Sequence, residues 1–344
     1  MHAYLARKAA EQRVAKTTRY SNMFRTLIGR SGIIAPRSSL LKKKVNYCSC
    51  SLRQFSVQGK DMFNFERYAE GFETLEVSVN NDGVAKILLN RPDKMNAMNM
   101  KLWEELKESF DVVNNDSTVR CIILSSTSKH FSSGMDLAVF AEMAQSHKQE
   151  KCPGRASEKL EKSIEFFQDV CSGAELCNVP VLCAIDGNAI GGAVDLLTSC
   201  CLRYCTQQAN FSVKEIDLAI VADVGTLQRL PGIVGEQRAR ELAYTGRLFN
   251  GIEAHKMGLV LECFETNEQM METVEDVAKN IACKSPLTMR NLKRNILYSR
   301  DHTTQEGLEH VRMMNSSILF SNDLTKIMTA TMKKEDVGSV TFED

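Results

Sequence analysis

Val181-Leu182-Cys183-Ala184-Ile185-Asp186-Gly187-Asn188-Ala189-Ile190-Gly191-Gly192-Ala193 is the stretch on which the fold turns. Five apolar residues in a row are too few for a helix and are bounded by turn residues, so they read as a buried strand. The glycines that follow form a turn, and a helix is expected from Gly191 to about Cys201. A fully apolar strand feeding a helix through a glycine turn is the unit of an α/β fold with strands covered on both faces. Such a turn brings bare backbone to a strand end, where α/β proteins bind ligands. Its amides are free to point at an anion, and the dipole of the helix adds positive potential. The spacing G-x-x-x-G-G excludes the G-x-G-x-x-G dinucleotide fingerprint, and no Gly-Lys-Ser/Thr follows to make a phosphate loop. An oxyanion site remains, built from main-chain amides.

Upstream, a second turn of this kind, His130-Phe131-Ser132-Ser133-Gly134-Met135-Asp136, follows an apolar strand at 119–125. Before it lie two strands, 74–79 and 84–90, joined through Asn80-Asn81-Asp82-Gly83, whose Asp-Gly pair predicts a hairpin. A helix over 99–113 carries Leu102, Leu106, Phe110 and Val113 at helical spacing. The more polar stretch 137–169, with Pro153-Gly154, reads as a loop plus a covering helix. Downstream, a short strand at 210–213 precedes a loop holding two acids. From Gly235 the pattern is helical (236–244, 252–257, 268–282, 287–298 and 304–332), interrupted by a strand at 259–263.

Three acids accompany the second turn: Asp195 on the first turn of its helix, then Glu215 and Asp223. Asp223 follows the apolar run 218–222, where an isolated carboxylate is costly unless paired or protonated. Burial and neighbouring carboxylates both raise a carboxyl pKa, which suits such groups to proton transfer near neutral pH. Taken singly, Asp223 could cap a helix, Glu215 could pair in solvent with Lys214, and Asp195 could favour a helix N-terminus. Together with paired amides they point to a proton-transfer site.

Bulk properties bound the remaining options. The chain has 344 residues, 43% hydrophobic and 25% charged, as a globular protein has. No apolar run reaches the length of a membrane span. The formal charge is zero, yet residues 1–60 hold thirteen Lys or Arg and one acid, 13 − 1 = +12, which leaves −12 on the rest. That leader is rich in Arg and Ser/Thr and has apolar residues among the basic ones, the composition of a mitochondrial transit peptide. A basic nucleic-acid arm is the alternative. Met23 offers a second start, and the final residues Val340–Asp344 carry no Ser-Lys-Leu-type peroxisomal address. Twelve cysteines without a Cys-x-x-Cys pair, and six scattered histidines, define neither a zinc site nor a disulfide framework.

These segments resemble the enoyl-CoA hydratase/isomerase (crotonase) superfamily over roughly residues 73–342. Asn90-Arg91-Pro92-Asp93-Lys94-Met95-Asn96-Ala97 is similar to its N-R-P-x-x-x-N-A segment, 131–136 to its F-S-x-G-x-D turn, and 190–193 to its second oxyanion turn. Ala193 departs from the usual third glycine. The stretch from Ala222-Asp223-Val224-Gly225-Thr226 to Gln228-Arg229-Leu230-Pro231, and Leu297-Tyr298-Ser299-Arg300-Asp301-His302, resemble the dienoyl-CoA isomerase group, although Cys201 stands where related isomerases have Asp.

The resemblance implies a crotonase-like α/β fold with a ββα superhelical core at 61–265 and a C-terminal helical oligomerisation region at 266–344. It implies an oxyanion hole from the amides of Met135 and Gly192, and proton transfer by Asp223 and Glu215 with Asp195 tuning both. Coenzyme A is expected near Lys94, Met95, Asn96, Ala97, Ser133, Gly134 and Asp136. The implied substrate is an acyl-CoA thioester, with no metal, redox cofactor or nucleic acid, in a mitochondrial homotrimer or homohexamer. Hydration of an enoyl-CoA and Δ3-Δ2 isomerisation are the alternatives on the same fold. An RNA-binding or scaffold role is a third, against which the −12 charge of the body argues, since phosphate contacts need Lys and Arg.

Overall fold

A computed structural model describes residues 71–343; the expected leader at 1–60 lies outside them. Five strands run parallel behind one antiparallel edge strand in a six-stranded sheet. In chain order its strands are β1 (Leu75–Val79), β2 (Val84–Leu89), β3 (Cys121–Ser126), β4 (Val181–Ile185), β6 (Leu202–Thr206) and β9 (Glu262–Phe264), and they are neighbours in that order. Only β1–β2 is antiparallel. Its hairpin is the expected one: Gly83, at φ +77°, closes the turn, and the Asn80 side chain accepts from the Asp82 and Val84 amides.

The residues of the central strands alternate between two cores. Ile122, Leu124, Cys183 and Ile185 face the larger one, built with α1 (Met100–Asn114) and α3 (Pro153–Leu176). Cys121, Ile123, Leu182 and Ala184 face α8 (Asn267–Ala282), which buries Met270, Val274 and Ala278 against them. Period-two alternation buried on both sides explains why these strands read as continuous apolar runs.

A second sheet of β5 (Asn188–Ile190), β7 (Asn210–Ser212) and β8 (Phe249–Asn250) stands beside the first. Two isolated bridges extend it, Ser132 to Ala189 and Met98 to Met135. Each passage of the chain therefore leaves the large sheet, makes a short pairing in the small one and returns through a helix. This is the ββα repeat of the crotonase fold, and it stacks the turns after β2, β3 and β4 beside one another.

The remaining helices are α2 (Leu137–Gln149), α4 (Gly192–Thr198), α5 (Thr226–Val234), α6 (Glu236–Thr245), α7 (Gly251–Met257), α9 (Pro286–Arg300), α10 (Thr304–Ile318) and α11 (Asn322–Lys333). Several differ from the sequence expectation. The stretch 137–169 holds no long loop, because Asp136 caps α2 and Pro153 occupies the first turn of α3, where its missing N–H is harmless. The glycine stretch contains β5, and α4 ends at Thr198 because the chain leaves as β6, to which the sequence pattern assigned no strand. Pro231 hides α5, which was not expected. The last strand starts three residues later than expected and ends one later, with Leu259 and Val260 buried outside it. The single helix expected over 304–332 is broken before Asn322, where the Ser321 hydroxyl caps a new one.

Candidate active site

Gly134 and the Ile190–Gly192 turn touch each other. A Cβ placed on Gly134, whose φ is +89°, would lie 2.5 Å from the Ile190 carbonyl and 3.6 Å from the Gly192 nitrogen. The Met135 and Gly192 amides therefore lie side by side, although their residues are far apart in sequence. Among the described residues neither amide donates to another group. Gly191, at φ +56°, makes the turn that opens α4. Met98 and Trp103 pack under Gly192: a Cβ there would meet the Met98 methyl at 3.0 Å and the Trp103 ring at 3.6 Å. Trp103 is fully buried, and its indole N–H has no partner among the described residues.

The carboxylates converge on the same turn. Asp195 is 1% exposed on α4. One of its oxygens accepts the Thr226 amide at 2.6 Å, and the other is buried without a partner. Burial pushes its pKa up to about 6; contact with Thr226 restrains the rise, and the Asp223 charge adds to it. Glu215 begins a short 3-10 helix, Glu215–Leu218. A Cβ on Gly191 would be 3.1 Å from its Oε1, and its Oε2 is buried without a partner. Burial, then the charge of Asp195, pushes the Glu215 carboxyl up to about 7. Lys214, the alternative solvent partner of Glu215, pairs with Asp217.

Asp223 does not sit as its sequence context suggested. The run before it is mostly exposed in this chain, with Val221 at 67%, and Asp223 itself lies exposed on the rim of the site. Its pKa is still raised, chiefly by desolvation. It caps no helix, since α5 starts at Thr226 behind Gly225. Its carbonyl is held by the Gln168 side-chain amide of α3 at 2.6 Å.

The segment expected to meet coenzyme A is tied to the first glycine turn. The Ser133 amide donates to the Met95 carbonyl at 3.0 Å, and the Met98 amide to the Gly134 carbonyl at 2.8 Å. Met95 and Asn96 both have left-handed backbone, φ 50° and 53°. Asn96 is fully buried, so its side chain lies inside the fold rather than where a ligand could meet it. Its amide donates to Ser126, Ser128 and the carbonyls of His130 and Phe131, and its oxygen accepts the Arg91 amide. Asp136 is likewise engaged, capping α2 and pairing with Arg91 at 3.4 Å. Lys94 and Met95 stay exposed on the outer side, with Ala97 half-buried beside them.

Thr226, Trp103 and Arg229 drew no individual role from the sequence. The signals present were that Thr226 and Arg229 fall in the segment resembling the dienoyl-CoA isomerase group and that Trp103 is the single tryptophan of the chain. Among the described residues no cluster of His, Cys, Asp and Glu is arranged to hold a metal ion, and no helix is long and apolar enough to cross a membrane.

Two amides side by side, with carboxyl groups of raised pKa around them, can stabilise an enolate and move protons next to it. On this fold that combination defines an acyl-thioester enzyme, and the chain belongs to the enoyl-CoA hydratase/isomerase family, whose pattern it matches over residues 79–338. Within that family it is 40% identical over 267 residues to the peroxisomal Delta(3,5)-Delta(2,4)-dienoyl-CoA isomerase of Arabidopsis thaliana, covering 77% of this chain and 96% of that one. It is 40% identical over 272 residues to the mitochondrial enzyme of that name from Homo sapiens, covering 79% and 83%. The crystal structure of an enoyl-CoA hydratase from Bacillus anthracis has the same fold, with TM-score 0.69 and 27% identity over 76% of this chain and 97% of that one.

Burial of Asp195 has a consequence for stability. A carboxyl whose folded pKa is raised contributes stability below its unfolded value, and that contribution is lost as pH rises through the folded value. For Asp195 the window runs from 3.8 to about 6, a difference equivalent to roughly 3 kcal/mol. Asp195→Asn keeps an acceptor for Thr226 and removes the buried charge. The variant is expected to melt at higher temperature than the parent at pH 7–8 and to match it near pH 4. Equal melting temperatures across that range would show that the carboxylate is not desolvated.

Proposed function

We propose that the chain converts 3,5-dienoyl-CoA to 2,4-dienoyl-CoA in fatty-acid β-oxidation. The observation that carries this reading is the convergence of Asp195, Glu215 and Asp223 on one pair of free amides, together with 40% identity to isomerases of that name. Asp223 removes a proton from carbon 2. The electron pair spreads through the diene, and the negative charge on the thioester oxygen is held by the Met135 and Gly192 amides. Glu215, protonated near neutral pH, delivers a proton at carbon 6, which leaves both double bonds in the 2,4 positions. Asp195 does not touch the reacting carbons; burial first, and then the charge of Asp195, keeps the Glu215 carboxyl basic enough to hold a proton. Coenzyme A lies along Lys94, Met95, Ala97 and Ser133, with Asn96, Gly134 and Asp136 shaping that edge. The chemistry needs no metal or redox cofactor.

The test is ultraviolet spectroscopy of the purified protein with 3,5-dienoyl-CoA and, separately, crotonyl-CoA. The dienoyl substrate should be consumed fast and crotonyl-CoA hydrated slowly. The rate should be bell-shaped in pH, rising as Asp223 ionises and falling as Glu215 loses its proton at about 7. The limbs belong to the coupled set of acids rather than to single residues. Fast hydration with no isomerisation would replace this reading with that of an enoyl-CoA hydratase.

The same reading takes residues 61–265 as the catalytic core and 266–344 as the region that joins copies into a trimer or hexamer. Large apolar side chains exposed on α9 and in the tail support it, Ile296 at 70% and Phe320 at 89% among them. Sedimentation of a monomer at micromolar concentration would remove it. The relatives include mitochondrial and peroxisomal proteins. The +12 leader supports the mitochondrial matrix for this chain, a reading that import of residues 1–60 fused to a reporter would check.

A further inference from the structure

Arg229 stands behind the carboxylates, and nothing in the proton transfer above uses it. It lies on α5 with its side chain 12% exposed. Its Nε and Nη2 both donate to one oxygen of Glu175 at 3.1 Å, and Nη2 also donates to the Ser172 hydroxyl at 2.8 Å. Both acceptors belong to α3. The third nitrogen, Nη1, is buried with no partner among the described residues. It lies against the main chain of Gly225, where a Cβ would fall on it, and Gly225 has φ +132°. Gly225 separates Asp223 from Thr226, whose amide holds Asp195. A rigid planar cation thus backs the turn that carries one carboxylate and supplies the hydrogen bond to another.

The clamp extends outward. Glu175 also accepts from Arg300, the last residue of α9, which is half-exposed. The α9 helix is fastened to α3 independently of that pair, because the buried Lys293 ammonium donates to the Ala174 and Val179 carbonyls at 2.9 Å each. Arg229 and Arg300 fall in the two segments whose sequence resembles the dienoyl-CoA isomerase group, and Glu175 is what joins them.

We propose that Arg229, gripped by Glu175 and through it by Arg300, is a positioning residue that fixes the 223–226 turn and sets the electrostatic potential at the proton-transfer carboxylates. The inference rests on the isomerase reading for its kinetic consequence but not for its structural one. Charged and titratable groups facing Asp195 are Glu215, Asp223, Arg229 and the Cys171 thiol of α3. Arg229 is the one cation among them and lowers the proton affinity of Asp195, so its loss raises that affinity at the acid buried in the centre of the set, and loss of the anion that neutralises it does the reverse.

The experiment compares Arg229→Gln, Arg229→Lys, Glu175→Gln and Arg300→Gln in the full-length protein. Arg229→Gln should lower kcat roughly tenfold to a hundredfold with KM changed little, and should move the whole pH profile up by about half a unit or more. Glu175→Gln should move the profile down. Arg229→Lys should restore the profile but not kcat, because an ammonium keeps the charge and loses the fork. Arg300→Gln, which leaves α9 fastened by Lys293, should give a small shift in the same direction as Arg229→Gln. Hydrogen exchange at the Thr226 amide should quicken in Arg229→Gln, a readout that needs no substrate.

A folded Arg229→Gln with an unmoved profile and unchanged exchange overturns the proposal. So do variants that lose thermal stability and turnover together while the profile stays put, because that marks a purely structural ion pair. A parent protein that fails to isomerise 3,5-dienoyl-CoA defeats the functional reading instead, and the exchange measurement still decides the clamp.

Discussion

Asp223→Asn is expected to lower turnover of 3,5-dienoyl-CoA by about a thousandfold or more while leaving affinity for the thioester nearly unchanged. General acid–base catalysis contributes about 10²–10⁴ in rate, and an amide cannot accept the carbon-2 proton at all. The substitution is close to isosteric and should leave the fold intact. Asp223 is on the rim, and its hydrogen bond from the Gln168 side chain is to its carbonyl and survives the change. Glu215→Gln should be as damaging to turnover, because it removes the proton delivered at carbon 6. The two defects differ in what remains. Asp223→Asn blocks the first step, whereas Glu215→Gln still permits exchange of the carbon-2 proton with deuterated solvent. Turnover of Asp223→Asn within tenfold of the parent would sink the assignment of the base.

The second large effect concerns the main chain. Gly134→Ala places a methyl 2.5 Å from the Ile190 carbonyl, at a backbone angle of +89° that alanine rarely adopts. The turn must shift to relieve both, and the Met135 amide moves with it, out of line with the Gly192 amide. Loss of one donor from an oxyanion site lowers kcat by about 10²–10³. Strain of this kind also destabilises by about 1–3 kcal/mol, so the measurement pairs kcat with a melting curve and is read only on folded protein. Binding of saturated acyl-CoA should fall far less than kcat, because a ground-state carbonyl leans on these donors less than an enolate does. A folded Gly134→Ala enzyme with parental kcat would mean that the two amides do not act together on the thioester oxygen.

Both effects trace to features of unequal legibility. The buried strands and the glycine turns after them are local signals, since an apolar run and a glycine are visible one residue at a time. The hairpin at Asn80–Gly83 and the helix capped by Asn99 are of the same kind, each closed by a side chain within a few residues of its own backbone. From these alone the α/β class, the main alternation of strands and helices and the two glycine turns follow.

The short strands β5 and β6 were not legible as strands, because three to five residues take that form only when a distant partner supplies the ladder. The carboxylates show the point most clearly. By sequence Asp223 looked buried behind an apolar run, and Glu215 taken alone could have been a solvated acid beside a lysine. In the fold Lys214 turns to Asp217, the Glu215 carboxylate lies against Gly191, and Asp223 stands at the rim. Asn96 was read as lying near the ligand, and its side chain is a buried bolt behind that edge, with every polar atom engaged. The sequence by itself therefore determined which chemical groups are available and roughly which bends carry them. Tertiary structure alone decided their proton affinities and their mutual distances, because desolvation and charge–charge coupling arise only between segments that lie far apart along the chain and are brought together by packing.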